Sequence, residues 1–348
     1  MTNINDYIKK YRDIPFTKEK LNDIDVALFT QLAYIDYLVG YNTTLNEYLK
    51  ESISNKNLLK EHIERDNLIE SIKLVIDSER YKDILIRDPL YILKKDEQLG
   101  AFTLILPDKT KVICFEGTDY NLEGWEEDFR LSYEFPVPAQ KDAIKYINKN
   151  ISLFDKKVIV CGHSKGGNLA LVGSMFASIL KRNKIKEIYS FDGPGLRKKE
   201  FYSKRFKKTE KKYKHIIYNQ SFVGLLLRHT NKHMVVKARN KGILAHSPYY
   251  WQINDKHFMI SELSESSKKI DYNVLKWLEL HNDESRKKLV KNMFKAFNNI
   301  GIDRITDSVK LKNAIKIVKE LKNLDPSSKD LLIDFIKYNI KYYFKDNS

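Results

Sequence analysis

Cysteine is scarce in this chain. Cys114 and Cys161 are the only two among 348 residues. Two thiols cannot build a disulfide framework, so no covalent staple is expected and the count fits a reducing compartment. The segment Met1 to Asp6 has neither a basic stretch nor an apolar run, so the chain is expected to be cytoplasmic. Long apolar runs are also missing. The longest candidate, Leu169 to Leu180, is interrupted by Gly173, Ser174 and Ser178 and runs into Lys181 and Arg182. A helix that crosses a bilayer needs roughly 18 or more apolar residues, so none is expected. No zinc finger, basic zipper or RNP-type strand is found. No nucleic-acid partner is therefore expected, although the net charge is +16. The carboxylates Glu123, Glu126, Glu127 and Asp128 lack metal-ligand spacing, and nothing suggests a nucleotide site. No metal and no cofactor are expected.

What remains is a globular composition, 42% hydrophobic and 31% charged, with ample length for a core. Residues 17–95 read mostly as helices. Leu21, Ile24, Leu28, Leu32 and Ile35 recur at helical spacing, and Glu47 to Asp83 is amphipathic. The pattern then changes. Gly100 to Leu106 and Lys111 to Phe115 read as a hairpin around Pro107-Asp108-Lys109-Thr110. A helix near Gln140 to Asn150 precedes Lys157 to Cys161, an apolar, β-branched stretch of the kind found in central parallel strands. Asn168 to Lys181 reads as a helix. Glu187 to Phe191, His215 to Tyr218 and His233 to Ala238 read as further strands. Alternation of strands and helices implies a mostly parallel central sheet with helices on both faces. From about Asn282 the apolar stripes Val290, Met293, Phe294, Phe297 and, later, Leu331, Phe335 and Ile336 suggest a helical extension. The expected division is residues 1–280 and 281–348.

The run Val158-Ile159-Val160-Cys161-Gly162-His163-Ser164-Lys165-Gly166-Gly167 carries the chemistry. A strand comes before Gly-x-Ser-x-Gly and a helix follows it. In that setting the serine sits on a strained turn at the sheet edge, in front of a helix N-terminus that favours developing negative charge. Ser164 is thus the candidate nucleophile of an α/β-hydrolase fold. Such a serine needs an oxyanion hole. One donor is the N–H of the next residue, Lys165; the other is expected from Phe115-Glu116-Gly117-Thr118, with Thr118 offering its N–H and also its hydroxyl.

These residues carry a resemblance. Phe115 to Thr118, Gly162 to Gly166 and a later histidine before an aromatic run resemble the class 3 lipases. The chain is more similar still to a bacterial lipase-like group, the Mbeg-like group. The marks as they stand here are Asn22-Asp23-Ile24-Asp25, Gly124 to Phe129, Pro138-Ala139-Gln140, Gly162 to Ala170, Phe191-Asp192-Gly193-Pro194-Gly195 and Ser221-Phe222-Val223-Gly224. The resemblance covers nearly the whole chain and implies an α/β-hydrolase fold with ester or lipid hydrolysis.

The base must follow the last core strands. His246, in Leu244-Ala245-His246-Ser247-Pro248, follows the strand His233 to Ala238, and the resemblance places the lipase-like histidine there too; His257 is the reserve. In class 3 lipases the acid is expected just after the strand His215 to Tyr218, but this chain has Asn219-Gln220-Ser221-Phe222 there. Two repairs stay open. Asp192, at the end of the neighbouring strand, supplies the carboxylate, or Ser221 or a carbonyl orients His246 in a dyad. Asp192 is preferred. Trp125 and Asp128 are expected to brace the oxyanion loop, and Cys114 and Cys161 to be small core residues on adjacent strands.

The segment Arg197 to Lys214 holds ten basic residues and two acidic ones, half the net charge of the chain, with aromatics interleaved. It leaves the sheet just after Gly195, on the edge that holds the serine. It suggests an anionic membrane surface as partner. The sequence thus points to a serine hydrolase of an ester or lipid. The competing reading is a silent hydrolase fold that binds lipid or protein, favoured by the missing acid and the large basic segment.

Overall fold

The computed structural model describes residues 2–35, 42–54, 64–119, 121–240, 242–301 and 324–337, with residues 316, 319 and 320. Its core is an eight-stranded sheet whose spatial order follows chain order. The strands are β1 (Thr43–Thr44), β2 (Leu85–Lys94), β3 (Glu97–Ile105), β4 (Lys111–Phe115), β5 (Val158–His163), β6 (Ile185–Phe191), β7 (Tyr213–Tyr218) and β8 (Met234–Val236). Pairs from β1 to β4 are antiparallel, and those from β4 to β8 are parallel. Each parallel pair needs a crossover, and the crossovers are mostly helical. This is an α/β-hydrolase fold.

Side-chain alternation along β5 shows how the sheet is covered. Val158 and Val160 point to one face, where they meet α6 (Pro138–Asn150) and α7 (Lys165–Phe176) through Ala143, Ile147, Leu169 and Val172. Ile159 and Cys161 point to the other face. There they meet the N-terminal helices α1 (Ile4–Tyr11), α2 (Asp23–Leu32), α3 (Leu45–Ser54) and α4 (Arg65–Ile76). Burial on both faces explains why β5 is an unbroken apolar run.

The Asn22 to Asp25 stretch starts α2. The Asn22 side chain accepts from the N–H groups of Ile24 and Asp25, and Asp25 reaches back to the Asn22 N–H. Asp25 is also half of a buried ion pair. Arg80 grips it through Nε at 3.0 Å and Nη2 at 2.6 Å, and the Tyr81 hydroxyl donates to it at 2.8 Å. That pair ties the turn after α4 to α2.

The helical reading of residues 17–95 fails at its end. Leu85–Lys94 is a strand, paired with β3 from Leu85↔Ile105 to Lys94↔Glu97. The register shifts between Arg87 and Leu90, and Asp88 takes a positive φ of 47°. Pro89 has no N–H to give a ladder, and a bulge is where a strand tolerates that loss. The hairpin β3–β4 turns at Lys109, also at positive φ.

Past β8 the chain forms a small ribbon, β9 (Ile253–Asn254) with β10 (His257–Phe258), then α11 (Glu265–Leu280) and α12 (Asp283–Asn299). Phe294 of α12 packs on Leu122 and, with rings 5.7 Å apart, on Phe129; both belong to the helix Leu122–Arg130, α5. Leu331 and Phe335 of the helix Pro326–Phe335 pack on Trp277. Among the described residues no helix is long and apolar enough to cross a membrane.

The basic segment forms the crossover from β6 to β7 and holds the short helices α9 (Lys198–Phe201) and α10 (Lys204–Thr209). It starts where the serine turn lies and ends at the opposite edge, where β7 begins. Arg205 donates to the Met175 carbonyl, near the far end of α7, and Lys212 donates to the Ile185 carbonyl, where β6 begins, at 2.7 Å.

Candidate active site

Five loops meet at the carboxyl ends of β4 to β8, the edge where parallel sheets hold their ligands. Ser164 joins β5 to α7. Its backbone takes φ 55° and ψ −130°, a strained conformation for a residue with a side chain. Its N–H is held by the Phe191 carbonyl at 2.9 Å, and its carbonyl accepts from the Gly167 N–H at 2.9 Å. The turn is so tight that a Cβ on Gly162 would lie 2.2 Å from the Gly166 carbonyl carbon. The Gly-x-Ser-x-Gly spacing is therefore a packing requirement.

Asp192 follows β6, also at positive φ (49°), and is fully buried. Its Oδ2 lies 2.6 Å from His246 Nδ1, and its Oδ1 accepts from the Ser221 hydroxyl at 2.5 Å. A carboxylate accepts, so Nδ1 carries a proton, and in the neutral imidazole the lone pair is then on Nε2. Ser221 bonds to the carboxylate and not to the imidazole, so the dyad repair through Ser221 does not correspond to the contacts found. The Asp192 loop is held by Asn168, whose amide donates to the Gly195 carbonyl at 2.6 Å and accepts from Gln140 at 2.7 Å. His257 lies exposed on the β9–β10 ribbon. No hydrogen bond joins the Ser164 hydroxyl to His246 among the described residues. Such bonds are often long without substrate and tighten as it binds.

The β4 loop runs beside the serine. A Cβ on Gly117 would stand 3.1 Å from Ser164 Cβ and 2.0 Å from the Tyr34 hydroxyl. Thr118 comes next. Its hydroxyl is committed to Asp128, which leaves its backbone N–H as the group able to turn toward an oxyanion. Trp125 Nε1 donates to the Asp119 carbonyl at 3.0 Å, so both expected braces are in contact with this loop. One oxygen of Asp128 is shut off from solvent without a partner. Burial pushes that carboxyl up to about 6, against the pull of Lys165 and of the Thr118 hydroxyl.

Lys165 is the first residue of α7, so its N–H is one of the helix's unpaired donors. Its side chain turns inward and is fully buried. The ammonium donates to Gln98 Oε1 at 2.6 Å and to the Gln98 carbonyl at 2.8 Å, and pairs with Glu127 at 3.3 Å. Glu127 also accepts from the N–H groups of Ala139 and Gln98. Glu127 and Asp128 thus fasten α5 to the elbow and the oxyanion loop, respectively. Sequence reading missed this network, because Gln98 and Glu127 look like surface residues of a charged chain. A lysine directly after an elbow serine was the one available signal.

A second missed chain runs behind the base. The Gly117 backbone hydrogen-bonds the Tyr34 phenol, which burial and Glu116 push well above its usual range. The phenol bonds His163 Nδ1 at 2.7 Å, and His163 Nε2 donates to the His246 carbonyl at 3.0 Å. His163 therefore ties the elbow to the backbone of His246. His215 on β7 meets His229 and His233 with tilted or edge-on rings, and its Nε2 donates to the Gly193 carbonyl at 3.1 Å. Among the described residues no group of three His, Cys, Asp or Glu side chains is placed to hold a metal ion.

The family model described as Mbeg1-like matches residues 75–295. Among solved structures, a crystal structure of M37 lipase is similar at 16% identity and a TM-score of 0.36, over 57% of this chain and 68% of that one. No curated protein matches.

Proposed function

The chain belongs to the Mbeg1-like family, and we propose that it is a serine hydrolase that cleaves a carboxylic ester through an acyl-enzyme. The observation that carries this reading is the 2.6 Å contact between His246 Nδ1 and buried Asp192, at the same sheet edge as the strained Ser164. The silent-fold alternative drew on the missing acid, and this contact speaks for the enzyme instead.

In this mechanism the Ser164 oxygen attacks the ester carbonyl while its proton passes to His246 Nε2. The buried Asp192 carboxylate holds the imidazole in the tautomer that can accept that proton and stabilises the imidazolium that results. The oxyanion turns to the N–H groups of Lys165 and Thr118. As the intermediate collapses, the C–O bond breaks and His246 returns its proton to the leaving alcohol. Water then attacks the acyl-serine by the same route, releasing the acid and restoring Ser164. Ser164, His246 and Asp192 are thus the proposed catalytic groups.

A fluorophosphonate probe and short-chain esters test this. The protein is expected to label and to turn over esters, and Ser164→Ala to do neither. Labelling that is absent, or the same in the variant, would overturn the proposal.

A further inference from the structure

At the end of the sheet away from Ser164, the turns before β5 and β6 lie side by side. The Lys181 ammonium donates to the Ile151 carbonyl, the Ser178 N–H to the Asn148 side chain at 2.9 Å, and the Val158 N–H to the Lys184 carbonyl at 3.2 Å. The second turn includes the short helix Ile179–Arg182, α8. Four large apolar side chains on these turns face solvent. Phe154 is 93% exposed, Ile179 66%, Leu180 62% and Leu153 51%. Single exposed apolar residues are ordinary, but four on two adjoining turns form a patch.

The free charge around them has one sign. Lys156, Lys181, Lys184 and Lys186 belong to the same turns or follow them directly. The two nearby carboxylates are engaged: Asp155 pairs with Lys111 at 2.7 Å, and Glu187 with Lys214 at 2.7 Å and Lys157 at 3.6 Å. The basic crossover adds Lys212, whose ammonium donates to the Arg182 and Ile185 carbonyls. Burial holds that ammonium below its usual range, and Lys186 and Arg182 push it the same way. Positive charge is crowded here.

We propose that this face, residues 152–157 with 178–186, docks the protein on an anionic phospholipid bilayer. Phe154 and Leu180 enter the headgroup boundary, and the lysines meet the lipid phosphates. Apolar tips inside a cationic ring fit that surface. A nucleic acid would use only the lysines, and a neutral bilayer only the apolar tips. The six residues of β5, roughly 20 Å of strand, separate this face from Ser164. The docked protein therefore holds its serine edge away from the bilayer and takes substrate from solution. The docking is independent of the hydrolase reading, and its test uses no turnover.

The full chain is floated with vesicles of phosphatidylcholine alone and of phosphatidylcholine with phosphatidylserine, at low and high salt. It is expected to float only with the anionic vesicles, and less as salt rises. Lys184→Glu and Lys186→Glu should each weaken binding at least about fivefold. Phe154→Ser should weaken it roughly tenfold. All three side chains lie at the surface, so far-ultraviolet circular dichroism should be unchanged. Phe154→Trp should show fluorescence quenched by brominated acyl chains in the anionic vesicles. Three results would overturn the proposal: equal flotation with neutral vesicles, no flotation with either, or full binding by Phe154→Ser together with displacement by duplex DNA. The last would reassign the lysines to nucleic acid.

Discussion

Replacing Asp192 by asparagine tests the proposed mechanism most directly. The side chain keeps its size, and it is fully buried with two donors aimed at it, the Ser221 hydroxyl at 2.5 Å and His246 Nδ1 at 2.6 Å. An amide in that slot has one oxygen and one NH2. With the oxygen toward Ser221, the NH2 meets Nδ1, which must then accept. The imidazole proton moves to Nε2, where it blocks uptake of the serine proton. A triad forced into that tautomer loses about 10⁴-fold in kcat, equivalent to about 5 kcal/mol of barrier. KM should hardly move, since no proposed substrate contact changes. The assay is steady-state hydrolysis of a short-chain ester, with thermal melts to show that the fold persists. If Asp192→Asn retains kcat within tenfold of the parent while Ser164→Ala is dead, Asp192 is not the acid.

Three further outcomes are expected. Gly117→Ala would place a Cβ 2.0 Å from the Tyr34 hydroxyl and 2.7 Å from the His163 carbonyl, so the loop must leave Ser164. Loss of one oxyanion donor should cost about 10²- to 10³-fold in kcat, and unchanged turnover would remove the loop from the mechanism. Lys165→Met leaves Glu127 buried without its cation and should destabilise the fold by about 3–5 kcal/mol, read from the denaturant midpoint. Asp128 is raised in the folded state from 3.8 to about 6. The folded protein therefore binds the extra proton, and stability falls as pH rises through that window, with the full penalty above it. Asp128→Asn should flatten that part of the pH–stability curve, and an unaltered curve would refute the assignment.

The fold was legible where periodicity was strong. β5, the elbow and α7 stand in one stretch of sequence, so nothing tertiary was needed to find Ser164. His246 was legible by its place after β8. Asp192 was harder, because its partner lies 54 positions away and the competing site after β7 was suggested by resemblance alone. Only the meeting of the β6 and β8 loops brings its carboxylate to the imidazole. β2 was misread because Asp88-Pro89 breaks its alternation, and the cause is a bulge visible only against β3. Glu127 and Lys165 were illegible for a different reason. Charged residues default to the surface, and their burial depends on Gln98 arriving from another strand. Tyr34 and His163 likewise meet across 129 positions, and no local pattern announces that contact.

Cys114 and Cys161 stand opposite each other on β4 and β5, their sulfurs 3.3 Å apart and both buried. Burial pushes the Cys114 thiol well up, so a thiol reagent finds little thiolate to attack in the closed sheet. The pair marks the seam between the strand that delivers Thr118 and the strand that delivers Ser164. A reagent reaches either sulfur only when that seam opens, and the same opening draws the oxyanion loop away from the nucleophile. The rate of thiol labelling is thus a clock for disassembly of the site, set into the molecule without any added probe.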